Sequence, residues 1–254
     1  MKKIIFSALL LMSILATSAL VHLPAQFILM YAPLPTPLTL TGVEGTLWQG
    51  SVHQLKWQQQ NYGSVTWQLN VTKLLAGKLE AEVRFGRGSD IGVQGRGIVG
   101  YSTQGAYAQN LLASMPVEQA MQFAPSLPIP LDLTGQLELS LRDFHYADPY
   151  CQRAEGTLVW NTDKLVTPMA ELNIGPVVAE VSCQQNVMTA QGEQNSADVS
   201  SGFTAQLNAN HSYTLSAWFK PEASFPENLK QQLQWLPTQA DSEGKYPLSY
   251  QGRW

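Results

Sequence analysis

The sequence contains little charge. Of its 254 residues, 13% are Asp, Glu, Lys or Arg, about half of the roughly 25% that soluble domains carry. The net charge of −4 excludes the strong basic excess of a nucleic-acid-binding protein, so no nucleic-acid partner is expected. A hydrophobic fraction of 44% excludes a disordered chain, because such chains are poor in apolar residues.

Cysteine is also scarce, since the chain contains two, Cys151 and Cys183. Two cysteines exclude a disulfide-dense small protein and an all-cysteine zinc site. In an oxidising compartment we expect the two thiols to form a disulfide, which stabilises the fold by about 3–4 kcal/mol through loop closure. The alternative is a pair of unpaired, buried thiols.

No charged residue occurs in positions 4–23. A helix of this length spans roughly 30 Å, the thickness of a bilayer's hydrocarbon core, and predicts a transmembrane signal-anchor helix. Lys2 and Lys3 precede it, and the next basic residue is Lys56. By the positive-inside rule, residues 1–3 form a cytoplasmic N-terminus and everything after the helix is exported. The alternative is a cleaved signal peptide, whose apolar region is shorter.

The exported part alternates apolar and polar residues with a period of two. Such alternation predicts strands with one buried and one wet face, which is typical of antiparallel sheets. Short helices are predicted only near Pro116 and Pro226, where a capping serine precedes each proline. The predicted fold class is therefore mainly β, with an antiparallel exported domain. The clearest alternating runs are 65–71, 79–85, 137–141, 203–209 and 213–219.

Four short segments recur in the same order along the exported part, for example Glu44–Trp48 and Glu155–Trp160. This order predicts two similar β-halves, residues 38–144 and 145–254, each with one short helix and joined in one sheet. The alternative is chance similarity between β-rich segments. Before them, the prolines of residues 24–37 predict a stiff, extended spacer.

No pattern in the sequence indicates catalysis. The four histidines have no metal-ligand spacing, and neither a phosphate-binding loop nor a nucleophile elbow is present. The glycine-rich segment 86–97 is followed by a strand pattern rather than a helix, so it predicts turns and bulges. We assign no catalytic, cofactor-binding or metal-binding residues and do not expect an enzyme.

One segment near the start of the exported part carries a family resemblance. Its motif residues are Val43, Glu44, Gly45, Thr46, Leu47, Trp48 and Gly50. Together with the Lys-Lys start, the apolar helix, the proline-rich spacer, residues 131–135 and the two distant cysteines, this segment resembles the type II secretion system protein N family. The resemblance covers essentially the whole chain.

This resemblance implies a single-pass protein of the bacterial inner membrane, with a cytoplasmic N-terminus and a periplasmic domain. It implies an accessory, non-catalytic role in the machine that moves folded proteins across the outer membrane. The partners implied are other type II secretion components, either the secretin or the inner-membrane platform proteins, and the inner membrane through residues 4–23.

A second interpretation is a lipid-binding β-groove that acts in envelope assembly. It rests on a fold-level analogy with the AsmA-like envelope proteins, in which a repeated, membrane-anchored sheet has one apolar face. This interpretation predicts lipid as a partner on an open apolar face, whereas a closed and fully packed core would exclude it.

Overall fold

The computed structural model describes residues 2–31, 36–123, 133–162, 164–166 and 170–253. Most of residues 38–253 form one 14-stranded sheet in which every strand pair is antiparallel. The prediction of a mainly β fold with an antiparallel sheet is therefore confirmed.

The strands follow a simple up-and-down order. They are β1 (Leu38–Gly45), β2 (Gln49–Trp57), β3 (Gln60–Asn61), β4 (Ser64–Leu69), β5 (Leu79–Arg87), β6 (Gln94–Ser102), β7 (Gly105–Pro116), β8 (Gln136–His145), β9 (Arg153–Asn161), β10 (Lys164–Val166), β11 (Glu171–Asn173), β12 (Val177–Gln184), β13 (Val187–Asn195), β14 (Val199–Leu207), β15 (Ser212–Pro221) and β16 (Tyr246–Arg253). Strands β10 and β11 form a separate hairpin, β3 pairs with β2, and the others pair in chain order. Strand β8 pairs with β9, so the sheet continues across residues 144 and 145. The division into two similar halves there stays a prediction.

Helices occupy the N-terminus and short turns between strands. They are α1 (Lys2–Val21), α2 (Ala25–Tyr31), α3 (Val71–Leu74), α4 (Val117–Ala120) and α5 (Glu227–Lys230). Within the part of the chain that the structure describes, no helix combines the length and apolarity that a membrane crossing requires. The transmembrane helix predicted for residues 4–23 is therefore not confirmed and stays a prediction.

The start of the predicted spacer is helical rather than extended. Helix α2 occupies residues 25–31 directly after Pro24, a residue whose fixed φ suits the first turn of a helix. The extended spacer prediction rests on Pro33, Pro35 and Pro37. Pro33 and Pro35 lie outside the described residues, and Pro37 lies in a turn directly before β1. Residues 131 and 132 of the resemblance also lie outside them.

One strand is shorter than its alternation predicts. The pattern extends to Val71, but β4 ends at Leu69 and Val71 begins α3. The side chain of Asn70 accepts a hydrogen bond from the Thr72 hydroxyl at 2.7 Å, and this local contact favours a turn over a continuing strand. The first predicted half therefore contains two short helices, α3 and α4, where the sequence predicts one.

Two small clusters of buried apolar residues lie in the structure. One lies where the β10–β11 hairpin and α5 meet the sheet, and the other surrounds Cys151 and Cys183. Elsewhere the apolar side chains of the sheet are mostly half-buried, such as Leu139 and Leu158 at its centre. The first cluster comprises Leu172, Ile174, Val199 and Phe225.

Large side chains lie over glycines of neighbouring strands. A Cβ added to any of these glycines would come within 3.0 Å of the side chain opposite, so no other residue fits without rearrangement. The large side chain shields the backbone of the glycine, which has no side chain of its own to cover it. The pairs are Gly50 with Trp67, Gly95 with Phe85, Gly100 with Tyr107, Gly156 with Leu141, Gly192 with Phe203, Gly202 with Trp218, and Gly252 with Tyr213.

Candidate interaction site

Residues 43–50, the segment of the family resemblance, form the tight turn between β1 and β2, here called the motif hairpin. The Thr46 amide donates a hydrogen bond to the Gln49 carbonyl at 2.9 Å. Gly45 has φ +88°, and a Cβ there would lie 2.5 Å from the same carbonyl oxygen. The turn therefore requires glycine at position 45.

The motif hairpin binds the chain where α1 ends. The Trp48 indole donates to the carbonyl of Leu20 at 2.9 Å, and the Leu47 amide donates to the carbonyl of Leu23 at 2.9 Å. The Leu20 carbonyl lies in the last turn of α1 and also accepts a bond from the Leu23 amide at 3.4 Å, whereas Leu23 lies just beyond the helix. The Gln26 side chain also donates to the Val43 carbonyl at 2.7 Å. The hairpin thus joins the N-terminal helices to the first edge of the sheet.

Trp67 of β4 supports the motif hairpin from the adjacent strand. Its ring lies over Gly50, and its indole donates to the Leu47 carbonyl at 3.0 Å. Glu44 points outward, with its carboxylate 3.7 Å from His53 Nε2 and both side chains largely exposed. The structure thus brings the motif residues together at the junction between the N-terminal helices and the sheet.

One face of the sheet, here called the apolar face, is lined by small and apolar residues on every strand of the main path. A row of direct cross-strand partners runs from β1 to β16, and its members are buried or half-buried. At about 4.8 Å per strand, the row is ~58 Å long. It comprises Val43, Val52, Val65, Phe85, Gly95, Ala113, Leu139, Leu158, Ala179, Gly192, Phe203, Ala217 and Leu248.

The opposite face, here called the polar face, has the reverse chemistry. The next row, one residue along each strand, contains a single apolar side chain, Leu112. Uncharged hydroxyl and amide groups outnumber its charges, in keeping with the low charge content of the chain. The row comprises Glu44, Ser51, Thr66, Arg84, Arg96, Leu112, Ser140, Thr157, Glu180, Gln191, Thr204, Ser216 and Ser249.

A group of titratable side chains lies where β8 meets β7 and β9. Arg153 Nε donates to Asp143 at 2.9 Å, and His145 Nε2 lies 3.4 Å from the same carboxylate. Burial alone raises the pKa of Asp143, but the hydrogen bond from Arg153 and the charges of His145 and Arg153 outweigh it and lower that pKa. Nearby, burial and a 2.9 Å hydrogen bond to Glu80 raise the pKa of Tyr107 to about 12.

This group predicts acid sensitivity. Because the folded pKa of Asp143 lies below its unfolded value, its stabilising effect is complete above about pH 4 and is lost as the pH falls through the folded pKa. We expect the free energy of unfolding to fall more steeply below pH 4 in the wild type than in Asp143→Asn. Denaturant titrations at several pH values measure the two slopes, and parallel slopes would contradict the prediction.

The predicted disulfide between Cys151 and Cys183 is confirmed, with a Cα–Cα distance of 6.3 Å. Cys183 lies in β12 and Cys151 in the loop before β9, and both are fully buried. Asn186 holds the same loop, because its side-chain oxygen accepts hydrogen bonds from the Tyr150 and Cys151 amides. The bridge therefore ties the start of β9 to the β12–β13 turn.

Among the described residues, no three His, Cys, Asp or Glu side chains gather so as to hold a metal ion. The surfaces that the structure offers are faces and edges of a sheet, which suit contacts with other molecules.

Comparison with known proteins decides the family. A family profile described as Type II secretion system (T2SS), protein N matches residues 36–249. The chain is also 47% identical over 253 residues, all of both chains, to type II secretion system protein N of Vibrio cholerae serotype O1. The chain belongs to the type II secretion system protein N family. It is 33% identical to the Aeromonas hydrophila member over 99% of each chain, and no solved structure matches it.

The family assignment places the motif hairpin inside the matched region and α1 and α2 before it. The Vibrio cholerae member matches the whole chain, so the likeness includes these N-terminal helices. Sequence reasoning missed the roles of Gln26 and Trp67 in this chain. The one available signal was Gly50, because a glycine within a strand indicates close approach of another group.

Proposed function

We propose that this chain is an accessory inner-membrane component of the type II secretion system. In this role it supports export of folded proteins from the periplasm across the outer membrane through non-catalytic protein–protein contacts. Membership of the protein N family over the full length carries the proposal. Its proposed partners are the secretin or the inner-membrane platform proteins.

The sheet supports this proposal with an edge for strand addition. In the described sheet, β16 pairs with β15 on one side, and its Ser249, Tyr250 and Gln251 are exposed. An extended segment of a partner adds to such an edge through main-chain hydrogen bonds. The other edge, β1, contacts α2 and is therefore less accessible.

We further propose that α1 lies in the inner membrane and that the sheet is periplasmic. Several side chains of α1 are more than half exposed although they are large and apolar, which suits contact with lipid. The disulfide fits an oxidising compartment such as the periplasm. These exposed side chains are Phe6, Leu9, Leu10, Leu11, Met12, Ile14, Leu15 and Leu20.

A clean chromosomal deletion tests the secretion role. We expect release of secreted proteins into the medium to fall and those proteins to accumulate in the periplasm, with recovery when the intact gene is restored. A control strain that carries the Ser249→Ala form should secrete normally, because the edge backbone is unchanged. Normal release from the deletion strain would reject the proposal.

The apolar face supports a second candidate, a lipid-binding β-groove. Its row of half-buried apolar residues begins at β1, beside the junction with α1, and runs the full width of the sheet. If the face holds acyl chains, lipid should co-purify with the full chain and be detected by mass spectrometry. Leu139→Arg should reduce that lipid, whereas Ser140→Arg on the polar face should not. Equal lipid in both variants would reject this candidate.

A further inference from the structure

Two arginines lie side by side on the polar face. Arg84 of β5 and Arg96 of β6 are direct cross-strand partners, and both are exposed. The Cβ atoms of such partners are about 4.5–5.5 Å apart, and like charges directly opposite each other destabilise a sheet. The sheet therefore carries two positively charged side chains at directly opposed positions, at a cost in stability.

Within the described chain, neither guanidinium forms an ion pair or a hydrogen bond. The flanking members of the same row are uncharged, Thr66 beside Arg84 and Leu112 beside Arg96. By contrast, Arg142 on the same face forms an ion pair with Glu155 at 3.7 Å. No direct ion pair within the described residues therefore neutralises Arg84 or Arg96.

The pair lies in the wall of an open groove of about 890 Å³. Ser51, Thr66 and Asn110 also line the groove and add polar groups near the guanidiniums. Glu44 and Glu82 lie in the same groove, and their charges limit the site to one anionic group rather than a polyanion. The groove therefore suits a single oxyanion held between two arginines.

We propose that Arg84 and Arg96 bind a single Asp or Glu carboxylate of a protein partner. This inference rests on the proposed role in protein–protein contacts and names the surface that makes one of them. The planar guanidinium matches a carboxylate bidentately, and arginine is enriched at protein interfaces. The two arginines lie on the opposite side of the sheet from the apolar face. A lipid whose acyl chains lie on the apolar face therefore does not bring its headgroup to the arginines.

In-cell photocrosslinking of the full chain tests this site. With a photoreactive amino acid at position 66, beside the pair, we expect an adduct with another secretion-system protein. Arg84→Glu should lower the adduct yield about tenfold, as expected for loss of one interface arginine. Arg142→Glu, the matched control on the same face, should leave the yield unchanged.

Misfolding does not account for the expected loss. Arg84→Glu places opposite charges across β5 and β6, so its thermal unfolding temperature should equal or exceed that of the wild type. Converting the crosslinked acidic residue of the partner to arginine should restore the adduct with Arg84→Glu. An unchanged yield in Arg84→Glu, or adducts with phospholipid alone, would overturn the inference.

The secretion assay separates the two proposals. If Arg84→Glu retains the adduct while the deletion strain fails to secrete, the arginine site is rejected and the accessory role stands. If the deletion strain secretes normally, the accessory role itself is rejected, whatever the crosslinking result.

Discussion

Replacing Cys151 and Cys183 together with alanine lowers the free energy of unfolding, by an expected amount of about 3–4 kcal/mol. The bridge joins residues separated by 32 positions, and its loss releases that loop in the unfolded chain. Both sulfurs lie in one of the two small buried clusters, where Phe144, Tyr150 and Met188 pack around them. A loss of this size is large against the roughly 5–15 kcal/mol by which whole proteins are stable.

Urea unfolding of the purified full chain in detergent, followed by tryptophan fluorescence, measures this effect. The reduced wild type should unfold at the same urea concentration as the double-alanine variant. Ser182→Ala is the matched control beside Cys183, since it removes one hydroxyl contact of 2.7 Å with Thr189 and should cost about 1 kcal/mol. A change below about 1 kcal/mol in the double variant would show that the hydrogen bonds of Asn186 hold the loop without the bridge.

Gly50→Val has the second large expected effect, because it dismantles the motif hairpin. A Cβ at position 50 would lie 2.5 Å from the Trp67 ring and 2.6 Å from the Glu44 carbonyl oxygen. The ring must move, and its hydrogen bond to Leu47 breaks. Overpacking and the lost bond together cost about 3 kcal/mol. We also expect lower release of secreted proteins, because α1 is then no longer held firmly to the sheet.

Gly77→Ala is the control for this variant. Gly77 has φ +71°, but nothing lies within 4 Å of an added Cβ, so the expected cost is the backbone term of about 1–2 kcal/mol. Hydrogen exchange at the Leu47 amide, which donates to Leu23, distinguishes the variants. It should speed up in Gly50→Val and remain protected in Gly77→Ala. Equal protection in both would contradict the role of the hairpin as a junction.

The sequence by itself determined the class of the fold and the chemistry of its two faces. Period-two alternation predicts strands at 79–85, 137–141 and 213–219, and each lies within an observed strand. Alternation predicts these strands because successive side chains of a strand point to opposite faces of the sheet. When one face is wet, apolar residues therefore recur at every second position of the sequence. The cysteine count likewise predicted the disulfide, since one pairing is possible.

The tertiary structure alone decided which residues meet. Arg84 lies opposite Arg96 because of the register of β5 against β6. Next to this pair, the register of β6 against β7 shifts between Arg96 and Ile98. Bulges and turns set such registers, and they leave no periodic trace in the sequence. The motif hairpin shows the same limit. Its residues are recognisable as a string, but the contact of Trp48 with Leu20 joins positions 28 apart and exists only once the helix and the sheet pack together.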